Sequence, residues 1–571
     1  MLHEGTVWAR RVILLLTAVA FCWALTVAST GGFVVHVLGQ RISSHDPVRA
    51  LFAGVMLAGL YVLMCRQYWR TDVRILTGIN PPVLIAALCT AAALVVGIHW
   101  GTFMGTGPDA SGYVSEADLW AHGALTTPAP EWGRGARWTN ALWSSAPVGY
   151  LPGQAPSTLV PTYSPGLPLM MAALEVFGGR DAVFYVVPLL GALAVWASYL
   201  LGGHFAGPWA GALAALLMVC SPIFLLFLVQ PMSDVPAMAC WAFALVFALR
   251  GGVWPAVMSG TATAVAILVR PNLVPLAAIP ALLLLTTRDA RIRRLLVFGL
   301  AAAPGAMAIA VLNQYWYGSF LQSGYGTLDF LYSTDRIWPN LVRYGSYLIA
   351  TQTPLMLLGF AAPLVLRSKR PERYRLTLVT VAYPIAVFGM YATYLTYDGW
   401  QYLRFLLPAF PAVLAGVGAV LVHKAGESKR PGVAIVLVVA VTASLACWEW
   451  RYAYREGAFR YAINEERFAR AVDFANTLPA NAVLISDAYS GTLRFYAGRD
   501  VLRWGVMSRQ EFDGALAYLR DGGHPLYFVG DPFEEKAFKA YLDRTDAVER
   551  FDRGRVQDQG HVFVASHLTP P

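Results

Sequence analysis

Two carboxylates stand where a charged group is expensive. Asp109 lies about ten residues beyond an apolar run, in Pro108-Asp109-Ala110-Ser111-Gly112-Tyr113. Asp234 sits in the turn Gln230-Pro231-Met232-Ser233-Asp234-Val235-Pro236, between two apolar stretches. An ionisable group at a membrane edge marks a functional site by default, because a carboxylate there can accept a proton or hold a cation. Helix capping by Ser233 or Asp234 is the structural alternative. Arg270 and Arg404 stand at the ends of apolar stretches. There a guanidinium can bind phosphate oxygens or simply snorkel to the interface.

The elements that hold these groups are read from composition and hydropathy. Of 571 residues, 57% are hydrophobic and only 13% charged, against about 45–50% and 25% in a soluble chain. Disordered, collagen-like and nucleic-acid-binding classes are excluded, as is an ordinary cytosolic enzyme. A bilayer core needs about 20 mostly apolar residues per helix. By that measure about thirteen spans are expected, near Val12–Ala28, Ala50–Met64, Pro82–Ile98, Ala182–Leu201, Trp209–Leu228, Val235–Leu249 and Trp254–Val269, then Leu273–Leu285, Leu295–Tyr315, Val342–Leu366, Leu376–Tyr394, Phe405–Val422 and Val433–Cys447. With the N-terminus inside, one set of loops carries 18 basic residues and the opposite set 9. The positive-inside rule then makes the richer side cytoplasm, and the net charge of +9 reports orientation rather than a nucleic-acid partner. All six cysteines fall within or at the ends of apolar runs, without zinc-ligand spacing.

Three soluble features follow on the outer side. The segment from Gly101 to Arg180 is too long for a structureless connector and is expected to be functional and partly helical. A helix from Ser111 would turn Leu119 and Trp120 toward lipid and Glu116 toward the polar side. Trp120, Trp132, Trp138 and Trp143 suit the headgroup zone, and they also suit the faces of sugar rings. After Thr162-Tyr163-Ser164-Pro165-Gly166, the apolar piece Leu167–Phe177 is too short to span, so a re-entrant or surface-lying helix is expected. From residue 451 the chain reads as alternating helices and strands, a small extracytoplasmic α/β layer domain. Asp487 and Asp531 stand at its strand ends, where they bind a ligand or cap the next helix.

The order Asp109 and Tyr113, then Tyr163-Ser164-Pro165-Gly166, then Met232-Ser233-Asp234-Val235-Pro236 resembles the GT-C superfamily of membrane glycosyltransferases. The likeness is to the branch of protein O-mannosyltransferases and lipid A aminoarabinose transferases. Val269-Arg270-Pro271-Asn272-Leu273, Tyr317-Gly318-Ser319, Ser323-Gly324-Tyr325-Gly326 and Arg404-Phe405-Leu406-Leu407-Pro408 are similar as well. The resemblance implies a polytopic α-helical membrane protein with a GT-C-like catalytic module at residues 81–450. Residues 1–80 would add two helices, and residues 451–571 would form the external domain. Many members carry two adjacent acids in the first loop, whereas here Asp109 is followed by Ala110.

What the resemblance implies is an inverting transfer of a hexosyl or pentosyl group. The donor would be a polyprenyl-phosphate sugar, and the acceptor a hydroxyl of a glycolipid, cell-wall glycan or protein at the external face of a bacterial inner membrane. Asp109 would accept the hydroxyl proton, and Arg270 and Arg404 would receive the phosphate. Asp234 would act beside them, holding a divalent cation (Mg2+ or Mn2+) or orienting the acceptor. Tyr113, Glu116, Tyr163, Asn272 and Tyr325 would line the sugar and acceptor pocket. Two other readings compete: a transporter or flippase of lipid-linked sugars, and a noncatalytic scaffold. Against transport, no internal repeat is found, and the charged residues crowd the outer surface rather than the midplane. No P-loop, H-E-x-x-H or G-x-S-x-G motif occurs.

Overall fold

The structure is a computed structural model. It describes residues 80–136, 138–286, 290–366, 370–542 and 563–568 continuously, with scattered positions before residue 80 and the pair Phe551 and Asp552. Residues 1–85 form one compact unit and residues 86–571 another. In the first, Phe33–Val37 pairs antiparallel with Gln40–Ser44. The spans expected at Val12–Ala28 and Ala50–Met64 lie largely outside the described residues.

Each later expected span coincides with helical structure, but not every one is a full crossing. Among the described residues, six helices are long and apolar enough to cross a membrane, or eight if each of two bent pairs counts once. The full crossings are Pro81–His99, Arg180–Ala206, Arg291–Tyr317, Arg370–Ala392, Trp400–Glu427 and Pro431–Arg455. The bent pairs are Pro208–Cys220 with Pro222–Leu228, at 63°, and Thr334–Gln352 with Pro354–Val365, at 108°. Both breaks fall at a proline, which lacks the N–H to continue the ladder and pushes the residue before it out of helical geometry.

Of the eleven spans expected after residue 80, three are helices too short for a full crossing by length. Asp234–Leu249 has 16 residues and Val253–Val269 has 17, about 24–26 Å at 1.5 Å per residue. Pro271–Leu285 is a still shorter apolar piece. The physical reason is visible in the burial. Almost every side chain of Asp234–Leu249 is buried, packed against Val253–Val269 and Val186–Ala206. A helix enclosed by other helices need not match the bilayer's thickness, so apolarity there reports a protein core.

The segment 101–180 folds as expected into short elements rather than a loose loop. It holds the helices Gly107–Ala121 and Gly166–Gly178. Between them lies a three-stranded antiparallel sheet with Thr158–Pro161 in the centre, flanked by Thr127–Pro128 and Tyr150–Pro152.

Beyond Pro431–Arg455 the chain forms an α/β layer close to its sequence pattern, opening with the helix Tyr461–Thr477. Strand Val483–Ile485 pairs in parallel with both Asp500–Leu502 and Leu526–Gly530. Val564–Leu568 adds antiparallel to Leu526–Gly530. Both faces of the sheet carry buried apolar clusters. One of them contains Trp132 from the 101–180 segment, with Trp138 packed against it. The headgroup role expected of these two tryptophans is thus corrected: they help to close the α/β core, which joins the segment to that layer.

Candidate active site

Backbone breaks place the ionisable groups. Gly107 has φ +64°, a left-handed conformation that a side chain resists, and Pro108 follows at the first turn of Gly107–Ala121. Asp109 therefore lies at a helix N-terminus, where negative charge is favoured. Arg270 ends Val253–Val269 with φ −141° and ψ 87°, the extended geometry that a following proline enforces. Arg404 sits in a tight 3-10 stretch, Trp400–Ala409, that leads into Phe410–Glu427.

Two arginine–carboxylate pairs result. Arg404 donates from Nη1 and Nη2 to Asp109 Oδ2, each at 3.1 Å. Tyr163 donates its hydroxyl to Asp109 Oδ1 at 2.9 Å. The Asp109 side chain keeps 34% of its surface exposed. Arg270 donates from Nη2 to Asp234 Oδ1 at 2.5 Å, and the Asp234 side chain is 0% exposed. Ser233, at the N-cap position of Asp234–Leu249, makes no capping bond. Its hydroxyl accepts instead from Tyr113 at 2.9 Å and from Arg270 Nε at 3.3 Å. The capping alternative therefore does not account for Ser233.

A cavity of about 420 Å³ opens among these groups, lined in part by Asp109, Tyr113, Arg270, Asn272, Tyr325 and Arg404. Tyr163 packs on Tyr113 with ring centroids 4.7 Å apart and meets Tyr325 edge-on at 5.8 Å. Burial first, and then the Asp109 charge, push the Tyr113 phenol up to about 12. Tyr163 is raised for the same two reasons. Both phenols thus stay protonated at neutral pH and act as donors. Gly112 makes room for this cluster: a Cβ there would lie 2.1 Å from Tyr163 Cε2.

Glu116 stands apart, which corrects its assignment to the pocket. It is fully buried, and its Oε1 accepts from Trp120 Nε1 at 3.2 Å, four residues on. Residues four apart share one helix face, so Glu116 and Trp120 point together into protein, and Trp120 meets Trp316 edge-on at 6.1 Å. Leu119 also packs inward, against a buried cluster around Ala129 and Tyr150. Burial holds the Glu116 carboxyl well above the usual carboxylate range.

Asp234 does not make a cation site. One oxygen is held by Arg270, the other is buried without a hydrogen-bond partner, and among the described residues no three His, Cys, Asp or Glu gather as a donor set. These residues do not fit Mg2+ or Mn2+.

Two contributors were not singled out from the sequence. Tyr391 accepts from Arg270 Nη1 and from Asn272 Nδ2, both at 3.1 Å. Phe405 lies under both guanidiniums, 5.7 Å from Arg270 Cζ and 5.2 Å from Arg404 Cζ, within cation–π range. The adjacency of Arg404 and Phe405 in the sequence was a signal for Phe405. Tyr391 carried none, since it lies on the apolar helix Tyr383–Ala392 without a motif around it.

A family profile described as Dolichyl-phosphate-mannose-protein mannosyltransferase matches residues 165–316, a stretch that contains Asp234, Arg270 and Asn272 but neither Asp109 nor Arg404. Among solved structures, the chain is similar to ArnT from Cupriavidus metallidurans bound to undecaprenyl phosphate, with TM-score 0.52 and 16% identity over 84% of this chain and 97% of that one. The chain has the GT-C fold. It is also similar to the arabinofuranosyltransferase AftD from Mycobacteria, with TM-score 0.51 and 14% identity, covering 85% of this chain and 40% of that one. No curated protein sequence matches. Within the GT-C fold of this chain, Asp109 and Asp234 occupy neighbouring helix starts, with their arginines supplied by later elements.

Proposed function

We propose that the protein is an inverting glycosyltransferase. It passes a hexosyl or pentosyl group from a polyprenyl-phosphate donor to an acceptor hydroxyl at the external face of a bacterial inner membrane. The N-terminus would be cytoplasmic and the α/β layer external. The observation that carries the reading is the position of Asp109. Its carboxylate lies on the wall shared by two cavities, the 420 Å³ one with Arg270 and the tyrosines and a second of about 670 Å³. A base between two chambers can serve a reaction whose partners enter from opposite sides.

In this reading Asp109 takes the acceptor's proton as the acceptor oxygen attacks the anomeric carbon. The bond from that carbon to the phosphate oxygen breaks on the opposite face, and polyprenyl phosphate leaves as an anion, so no general acid is needed. Arg270 faces the phosphate, with Arg404 beside it, and their guanidinium groups stabilise the charge that develops. Asp234 acts through Arg270: it is a positioning residue that holds the guanidinium at the cavity wall. Tyr113, Tyr325 and Asn272 line the sugar's chamber.

The donor's chain also has a place. An apolar groove of about 540 Å³ runs between helices Ile337–Gln352, Leu358–Val365, Tyr383–Ala392 and Phe410–Glu427. Its lining includes Ala392 and Leu406, next in sequence to Tyr391 and Phe405 of the sugar chamber. Gly389 lines this groove, and a Cβ added there would meet nothing within 4 Å. Gly389→Leu is expected to fold normally while weakening undecaprenyl phosphate binding about tenfold, near 1.4 kcal/mol, as read by titration in nanodiscs. Unchanged affinity would place the polyprenyl chain elsewhere.

The activity itself is tested by incubating the purified protein with radiolabelled polyprenyl-phosphate sugar and a membrane lipid extract. Label is expected to move to a new product with release of polyprenyl phosphate. Label that stays on the donor while crossing a vesicle membrane would replace transfer by transport.

A further inference from the structure

The second cavity adjoins the α/β layer, and its walls differ from those of the sugar chamber. It is bounded by the start of Gly107–Ala121, by the Tyr397–Arg404 segment and by Tyr461–Thr477, with Asp531 beyond. Four carboxylates stand on its wall, Asp109, Glu456, Glu465 and Asp531, against two guanidiniums, Arg404 and Arg467.

Both guanidiniums are already paired with carboxylates of this wall. Arg404 is bound to Asp109. Arg467 lies 3.3 Å from Glu465 and 3.5 Å from Asp531. Glu456 accepts from Trp400 Nε1 at 3.0 Å. A phosphate or carboxylate entering here would meet more carboxylates than guanidiniums, and like charges brought together carry a steep cost.

The rest of the wall offers neutral polar groups and flat rings: Gln401, Asn464, Tyr402, Tyr461 and Trp400. Arg467 Nε is buried without a hydrogen-bond partner, a donor that a hydroxyl oxygen can satisfy without bringing charge. Amides and aromatic faces together suit a ring that presents hydroxyls at its edge and C–H bonds on its face. The volume of about 670 Å³ lies within the range of small-molecule sites, about 300–1,000 Å³.

We infer that this cavity is the acceptor subsite and that it takes an uncharged saccharide, not a phosphorylated or otherwise anionic acceptor. The inference rests on the transfer reading above and narrows its acceptor. The saccharide is either the end of a free glycan or the head of a glycolipid.

The test uses the full-length protein in nanodiscs, with ligand binding read by saturation-transfer NMR. The probes are neutral hexose and pentose oligosaccharides, the same sugars phosphorylated, a neutral glycosyl diacylglycerol in the disc, and undecaprenyl phosphate. Neutral saccharides are expected to bind at least about tenfold more tightly than phosphorylated ones. Tyr461→Ala should weaken them about tenfold without changing undecaprenyl phosphate affinity. The double variant Glu465→Gln with Asp531→Asn releases the Arg467 charge, and it should bring phosphorylated sugars to parity or better. That gain cannot come from misfolding.

Binding of the disc-embedded glycolipid alone would support the saccharide subsite and make its source a lipid. Phosphorylated sugars binding the wild type as well as neutral ones would overturn the inference. So would undecaprenyl phosphate binding with no neutral saccharide bound, which leaves the donor reading intact. Saccharide binding without undecaprenyl phosphate binding would instead sink the donor reading alone, and failure of both would sink both.

Discussion

Asp109→Asn is expected to lower transfer by about 10²–10⁴-fold, the usual contribution of a positioned general base, with little change in folding. The amide keeps the side chain's size, its oxygen can accept from Arg404 in place of Oδ2, and its NH2 can donate to the Tyr163 hydroxyl in place of accepting from it. What it loses is the negative charge and the basic lone pair. Arg404 then loses its counter-charge beside the sugar chamber, so undecaprenyl phosphate should bind at least as tightly as to the wild type. The measurement pairs turnover of a polyprenyl-phosphate sugar with direct binding of undecaprenyl phosphate. Turnover lost with binding retained identifies a chemical role. Near-normal turnover would remove Asp109 from the base assignment.

The second large effect concerns Asp234 and Arg270. Asp234→Leu leaves the Arg270 guanidinium, only 11% exposed, without the carboxylate that balances it. Breaking a buried pair on one side costs about 3–5 kcal/mol, so the melting temperature in detergent should drop sharply. Adding Arg270→Met to Asp234→Leu removes the orphaned charge and should recover most of that loss, because an apolar replacement of a whole buried pair is often neutral. Activity should not return, since the cavity then lacks the cation assigned to the donor phosphate. Stability and transfer therefore part company in the double variant. A double variant that regained activity would show that Arg270 serves the fold alone. An Asp234→Leu protein as stable as the wild type would show that the pair does not hold this turn.

Asp234 shows how far local signals reach. Its burial cost is legible from its place among apolar residues, and the helix that begins at it was expected within one residue. Its partner was not. Arg270 lies 36 residues on, whereas the expectation for Asp234 was a divalent cation or the acceptor. Packing of Asp234–Leu249 against Val253–Val269 chose the arginine, because it brings the break at Pro271 opposite the turn at Ser233. Glu116 fails in the opposite sense. One turn from Tyr113 and close to the other pocket residues in sequence, it rotates onto the face that Trp120 shares and leaves the cavity.

Hydropathy and periodicity are sums over neighbours in the chain. The sequence by itself therefore determined the apolar helices, the α/β alternation after residue 451, and the acids and arginines that had to be costly. Only the tertiary structure decided that Arg404 reaches Asp109 across 295 residues, that Tyr391 bridges Arg270 and Asn272, that Trp132 closes the α/β core, and which short apolar helices are interior. Those choices depend on which faces pack together, and a hydrogen bond of 3 Å is set by the packing of whole helices, which no local window contains.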